Sequence, residues 1–189
     1  MEQPLNTVYL LVGQRGAGKT HYGTRLCEAY PHLIALSRDE IMIRKYGSVH
    51  SSAYSGHPFY AMNLLTRLIR RHLMAKKGVS ILLDAWTSRG DDRKRLINSL
   101  RACGADRVIA LYFITPLEFV NKWFWLKPGI ARLSEMKTRK DEGLVFFSNH
   151  APTLDYEIFH TFAVNIDTNG FDSVIRINPA LEGPVIQLP

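Results

Sequence analysis

Short apolar runs alternate with longer amphipathic stretches along the whole chain. Residues 7–12 (TVYLLV) are continuously apolar, the pattern of a strand buried on both faces. Residues 20–30 follow with a helical pattern that Pro31 stops. A second strand is predicted over 32–37 (HLIALS), then a helix over 39–46 that Gly47 ends. After a polar loop at 48–58 (SVHSSAYSGHP), residues 59–77 place Leu64, Leu65, Leu68, Ile69 and Leu73 at helical spacing, and Gly78 closes the helix. Further strands are predicted over 79–84 (VSILLD), 107–114 (RVIALYFI) and 173–177 (SVIRI), with a basic helix over 91–102. Pro116 opens another helix that reaches about residue 126. Residues 127–143 are basic and mixed and carry no clear period, and 163–166 is a short run of ambiguous type.

This alternation predicts an α/β protein, a three-layer sandwich around a five-stranded, mainly parallel sheet. Its 189 residues suffice for one full core and are too few for two comfortable ones. A single domain over 1–178 is expected, with 179–189 as a C-terminal tail.

The turn between the first strand and the first helix reads Gly13-Gln14-Arg15-Gly16-Ala17-Gly18-Lys19-Thr20 and fits GxxxxGK[ST]. In such a loop the glycines let backbone N–H groups surround phosphate oxygens, the lysine reaches the terminal phosphates, and the hydroxyl ligates Mg²⁺. The helix that starts there aims its positive end at the same anion. ATP and Mg²⁺ are therefore the expected cofactors. Gly13, Arg15, Gly16, Ala17, Gly18, Lys19 and Thr20 form the expected nucleotide-binding set, although Arg15 is equally compatible with facing solvent. Mg²⁺ needs further oxygen ligands, and Asp84, at the end of VSILLD, is the carboxylate in place to help hold it. The plainer role for Asp84 is a turn or helix-cap residue.

Ser37-Arg38-Asp39-Glu40 follows the second strand, at the carboxyl edge of a parallel sheet, where ligands bind. A carboxylate there can accept the proton of a hydroxyl attacking the γ-phosphate. Asp39 fits that role, and it equally fits a helix cap.

The ordered set GQRGAGKT, LSRDEIM, VSILLDAWTSRGDDRKRL and GFDSVIRI resembles the P-loop kinases related to polynucleotide 5′-hydroxyl kinase. That group also holds zeta-toxin and chloramphenicol phosphotransferase relatives. The resemblance runs from Val8 to about Ile177. It implies the P-loop NTPase fold of the kinase type, with Lys19 and Thr20 on ATP–Mg²⁺, Asp84 near the metal, Asp39 as general base and Arg38 beside it. Two positions depart from the pattern. Polynucleotide kinases carry an arginine three residues after the base, and here Met42 stands there, with Arg44 the nearest arginine. The family's lid arginines are replaced by Asn121-Lys122-Trp123-Phe124-Trp125-Leu126-Lys127, leaving Lys122, Lys127 or Arg132 to cover the transferred group.

Net charge is +7, and the pI is about 9.5, values that suit a polyanionic partner such as single-stranded nucleic acid. Arg67, Arg70, Arg71, Lys76 and Lys77 on one helix, and Arg89, Arg93, Lys94, Arg95 and Arg101 on another, are either a strand track or solvated faces. Trp123, Phe124 and Trp125 are either core or base-stacking groups, and His50, Tyr54, His57, Phe59 and Tyr60 either line an acceptor pocket or decorate a loop. The two cysteines, Cys27 and Cys103, have no metal-ligand spacing and suit a reducing compartment. No apolar run approaches the roughly 20 residues of a membrane span, and no leader pattern is visible, so a cytoplasmic protein is expected.

Three readings stay open at this point. The first is an ATP- and Mg²⁺-dependent phosphotransferase acting on a nucleic-acid 5′-hydroxyl. The second is the same chemistry on a small hydroxyl-bearing acceptor such as a nucleoside, metabolite or antibiotic. The third is an ATP-binding switch without phosphotransfer, in which Asp39 only caps a helix.

Overall fold

The computed structural model describes residues 4–47, 60–85, 87, 89–127, 129–136, 144–181 and 185–189. β1 (Thr7–Val12) is followed by α1 (Lys19–Ala29), β2 (Ile34–Ser37), α2 (Arg38–Tyr46), α3 (Tyr60–Ala75), β3 (Ser80–Asp84), α4 (Gly90–Ala102) and β4 (Arg107–Phe113). Next come α5 (Leu117–Phe124), β5 (Ile130–Arg132), β6 (Val145–Phe147), α6 (Ala151–Ala163) and β7 (Ser173–Ile177). Five strands form one parallel sheet in the order β2-β3-β1-β4-β7, as expected from the sequence. β5 and β6 pair separately as a small parallel ribbon.

β1 lies at the centre, and all six of its residues are buried. That is why its sequence is continuously apolar rather than alternating. Val8, Leu10 and Val12 face one core with Leu65, Ile69 and Leu73 of α3, Ile97 and Leu100 of α4, and Phe159 and Ala163 of α6. Tyr9 and Leu11 face the other, with Tyr22 and Leu26 of α1. Each buried Val, Leu, Ile or Phe side chain among these contributes roughly 1.5–3 kcal/mol by leaving water. The three layers are thus α3, α4 and α6, the sheet, and α1.

The second core also takes in the C-terminal segment. Val185, Ile186 and Leu188 pack against it. Tyr9 and Tyr30 donate their hydroxyls to the carbonyls of Pro189 and Ile186, at 2.8 and 3.2 Å. The Tyr22 and Tyr30 hydroxyls accept from Ile186 N and Leu188 N. At the sheet's opposite edge from the phosphate loop, buried Asn6 ties three elements together. Its amide donates to Leu73 O and Gly104 O, and its Oδ1 accepts from Val79 N.

β5, β6 and α6 have no counterpart in the sequence-based expectation. The run 163–166 is the end of α6 and a turn. α6 buries Pro152, Phe159 and Ala163 but also exposes Leu154, Ile158 and Phe162, so its two apolar faces blur the helical period. The loop residues His50, Tyr54, His57 and Phe59 lie outside the described residues. No described helix is long and apolar enough to cross a membrane.

His160 of α6 gives the fold a pH dependence. Its Nε2 is buried without a hydrogen-bond partner among the described residues, and burial pushes the imidazole below its usual 6.5. The folded state therefore favours the neutral ring. Its contribution to stability is complete above the unfolded value of 6.5 and is lost as pH falls through the lower folded one. Thermal melts taken from neutral to acidic pH should decline more steeply for the wild type than for His160→Phe.

Candidate active site

The site lies at the carboxyl edge of the sheet, where β1, β3 and β2 end side by side. Leu11 of β1 and Ser37 of β2 flank Asp84 of β3 in register. Three segments therefore converge: the loop after β1, the end of β3 and the start of α2. Ligands bind at this edge in open parallel sheets because strand ends and helix N-termini meet there.

The loop 13–20 curls through two left-handed glycines, Gly16 at φ 76° and Gly18 at φ 83°. α5 rests directly on it. A Cβ built on Gly16 would meet Val120 O at 2.8 Å and Phe124 N at 3.1 Å, and one on Gly18 would meet the Trp123 ring at 3.1 Å and Pro179 at 3.2 Å. From below, the buried Thr115 hydroxyl donates to Ala17 O at 2.7 Å. Gly16→Ala is expected to cost about 1–2 kcal/mol from its backbone angle alone, and relieving the clash must lift α5 off the loop. A thermal melt and an ATP titration should show a lower Tm and at least tenfold weaker binding.

Lys19 opens α1, with Gly18 as its N-cap, and Thr20 follows with an exposed side chain. The Lys19 ammonium donates to Gly13 O at 2.8 Å and Gln14 O at 3.0 Å. Burial lowers its pKa, and the Asp84 carboxylate is the strongest influence opposing that shift. In the same loop the buried Gln14 carboxamide has no hydrogen-bond partner among the described residues. Burial raises the Asp84 pKa, Lys19 and Lys127 pull it down, and Asp39 pushes it up. Asp84 does not cap the next helix, whose N-cap is Arg89.

The N-cap of α2 is Ser37, whose hydroxyl accepts from Glu40 N at 3.3 Å. Asp39 sits in the first turn and is not needed as a cap. Its Oδ1 takes Arg38 Nη1 at 3.2 Å, and its Oδ2 stands 3.5 Å from Lys127 Nζ. Lys127 follows α5, where its backbone N–H bonds to Phe124 O.

The structure therefore brings Lys19, Asp84, Asp39, Arg38 and Lys127 into one field, with Thr20 beside them. It carries Arg15 and Arg132 to other partners. Arg15 forms a forked pair with Asp155 of α6, at 2.8 and 3.3 Å, and lies over the Phe147 ring. Arg132 lies over the Trp125 ring at 4.8 Å. Phe124 is core, Trp123 lies against Gly18, and Met42, in place of the family arginine, is fully buried. Arg93, one of the basic residues of α4, is fully buried as well.

The residues present fit a nucleotide with Mg²⁺. The loop turns through left-handed Gly16 and Gly18 into the start of α1, which carries the lysine and the hydroxyl, and the Asp84 carboxylate lies within the field of that lysine. Among the described residues no group of three or more His, Cys, Asp or Glu could hold a metal. A carboxylate plus the nucleotide's own phosphates is the usual Mg²⁺ arrangement in such sites.

No curated protein sequence matches the chain. Solved structures share its fold at low identity. One is a chain of the Pnkp1/Rnl/Hen1 RNA repair complex, with TM-score 0.61 and 13% identity over 86% of this chain and 47% of that one. This chain spans about half the length of that relative. Another is a tunicamycin resistance protein of Deinococcus radiodurans, with TM-score 0.55 and 17% identity over 94% and 88% of the two chains. A third is the shikimate kinase of Acinetobacter baumannii, with TM-score 0.50 and 18% identity over 93% and 86%. These likenesses identify a P-loop kinase-like fold. The AAA domain profile matches residues 8–125, from β1 through the phosphate loop, Asp39 and Asp84 to the end of α5, and the chain belongs to that family.

Proposed function

We propose that the protein is an ATP- and Mg²⁺-dependent phosphotransferase that moves the γ-phosphate to a hydroxyl, with a nucleic-acid 5′-hydroxyl as preferred acceptor. The observation that carries this reading is Asp39. Ser37 caps the helix, so the Asp39 carboxylate stands at the sheet edge in the field of Lys19 and Asp84 with no structural task as a cap.

Lys19 and the backbone N–H groups of residues 16–20 hold the phosphates. Thr20 and Asp84 would hold Mg²⁺, which when bound draws negative charge from the phosphate oxygens. Asp39 takes the proton of the acceptor hydroxyl as that oxygen bonds to the γ-phosphorus, and the β–γ bridging oxygen leaves with its electron pair on ADP. Arg38 keeps the carboxylate oriented. Of Lys122, Lys127 and Arg132, the cations offered to cover the transferred group, Lys127 is the one in contact with Asp39, while Arg132 lies over the Trp125 ring.

A nucleic-acid acceptor is supported by the family resemblance and the net charge of +7. Structural likeness to a chain of an RNA repair complex agrees with it. One observation favours a small acceptor instead: Met42 is fully buried where polynucleotide kinases carry a phosphate-holding arginine. The test is transfer of labelled γ-phosphate from ATP to a 5′-hydroxyl DNA or RNA oligonucleotide, beside nucleosides, sugars, shikimate and antibiotics. Label on the oligonucleotide, lost in Lys19→Ala and Asp39→Asn, is the expected result. Label on a small molecule alone moves the acceptor to the second reading. ATP binding with no transfer to any acceptor, and no effect of Asp39→Asn on turnover, would leave only a nucleotide-binding switch.

A further inference from the structure

Both oxygens of the Asp39 carboxylate are engaged by cations of different kinds. Arg38 is the neighbouring residue on the same helix and holds Oδ1 at 3.2 Å. Lys127 comes from another element, reaching across from the turn after α5 to Oδ2 at 3.5 Å. An acceptor hydroxyl that is to give its proton to Asp39 has to compete with that ammonium.

Lys127 is placed to be drawn off by phosphate. α5 lies against Gly16 of the phosphate loop, and the Lys127 N–H bonds back to the last residue of that helix. The lysine is thus carried on the structure that roofs the loop, three residues from Phe124. Its charge acts on Lys19 and on Asp84, so the two ammoniums and two carboxylates share one electrostatic field. The pair with Asp39 is loose: the lysine side chain is 39% exposed and the aspartate 45%. Exposed pairs of this kind are weak and exchange partners readily. A terminal phosphate bears more charge than one carboxylate and offers three oxygens to a donor.

We infer that Lys127 serves two anions in turn, Asp39 in the nucleotide-free protein and the terminal phosphate once ATP is bound, so that nucleotide binding helps open Asp39 to an acceptor. This rests on the phosphotransferase reading and adds a preferred order of binding to it. It also separates the two cations on Asp39: Arg38 stays and orients the carboxylate, while Lys127 leaves and clamps the group to be transferred.

The test needs no acceptor. Binding of the non-hydrolysable ATP analogue AMP-PNP and of ADP, both with Mg²⁺, is measured by calorimetry for wild type, Asp39→Asn, Lys127→Met and the double variant. Lys127→Met should weaken AMP-PNP by about tenfold, as expected for one lost charge-assisted contact, and leave ADP within twofold. Asp39→Asn should tighten AMP-PNP by about threefold, the size of a weak exposed pair, because Lys127 no longer has to be pulled away. In the Lys127→Met background the same Asp39→Asn change should do nothing. A gain that persists in that background would assign the effect to simple repulsion between Asp39 and phosphate and overturn the inference. No gain in the wild-type background would overturn it too. A wild type that binds neither nucleotide refutes the phosphotransferase reading itself, a result distinct from a flat cycle on a protein that binds both.

Discussion

Asp39→Asn is expected to reduce phosphoryl transfer by roughly 10²–10⁴-fold, the range for removal of a general base, while ATP affinity changes only a few fold. The asymmetry follows from the geometry. Asp39 lies beside the phosphate loop, not in it, and its helix keeps its Ser37 cap after the change. The amide still accepts from Arg38, so the side chain keeps its orientation but cannot take a proton. Lys19→Ala should behave differently and lose nucleotide binding together with transfer. Its ammonium sits within the phosphate loop, and no other described cation is bonded to the loop carbonyls of Gly13 and Gln14. Single-turnover transfer measured beside ATP titrations separates the two. Equal losses of binding in both variants would remove Asp39 from the chemistry.

Arg93→Leu is the second large effect, and it falls on stability. The guanidinium is fully buried on α4 and donates to Thr87 O at 2.9 Å, to Phe162 O at 2.6 Å and to Asn169 Oδ1. It thereby joins the connection after β3, the end of α6 and the turn before β7. Burial lowers its pKa, but an arginine stays charged, so the charge is carried inside the fold and matched by carbonyls. Leucine would leave those acceptors buried without a donor. The expected cost is about 3–5 kcal/mol, or a fall in Tm of roughly 10–15 °C for a chain of this size. Arg93→Lys should rescue little, because one ammonium cannot span three acceptors set for a planar fork. A melting temperature unchanged in Arg93→Leu would show that the network forms no part of the folded core.

The sheet was legible because its signal is local. A strand buried on both faces has to be apolar throughout, and 7–12, 79–84 and 107–114 read that way without any knowledge of their partners. The phosphate loop was legible for the same reason, since the glycines and Lys19 act within eight consecutive residues. Which residue caps α2 was not, because Ser37 and Asp39 are both good caps and only the backbone decides between them. Arg93 was indistinguishable from its exposed neighbours Lys94 and Arg95: burial depends on Asn169 and Phe162, some seventy residues away. Lys127 was one of three cations offered for the same task, and only the turn after α5 brings it to Asp39. α6 escaped notice because the stripe of Leu154, Ile158 and Phe162 opposes its buried face. Within the expected tail, Ile186, Leu188 and Pro189 hydrogen-bond to the hydroxyls of three tyrosines far upstream, Tyr9, Tyr22 and Tyr30.

The central position of β1 has a consequence for how the chain acquires its structure during synthesis. β1 is made before its two sheet neighbours, β3 and β4, which end at Asp84 and Phe113. Until both have left the ribosome, a fully apolar strand has two open edges and no partner, the condition that invites pairing with other chains. The phosphate loop is fixed by β1 and roofed by α5, so nucleotide affinity arises only after residue 124 is available. Growing chains stalled before that point should need a chaperone and bind no ATP, and acquisition of ATP binding can serve as the marker that the central sheet has closed.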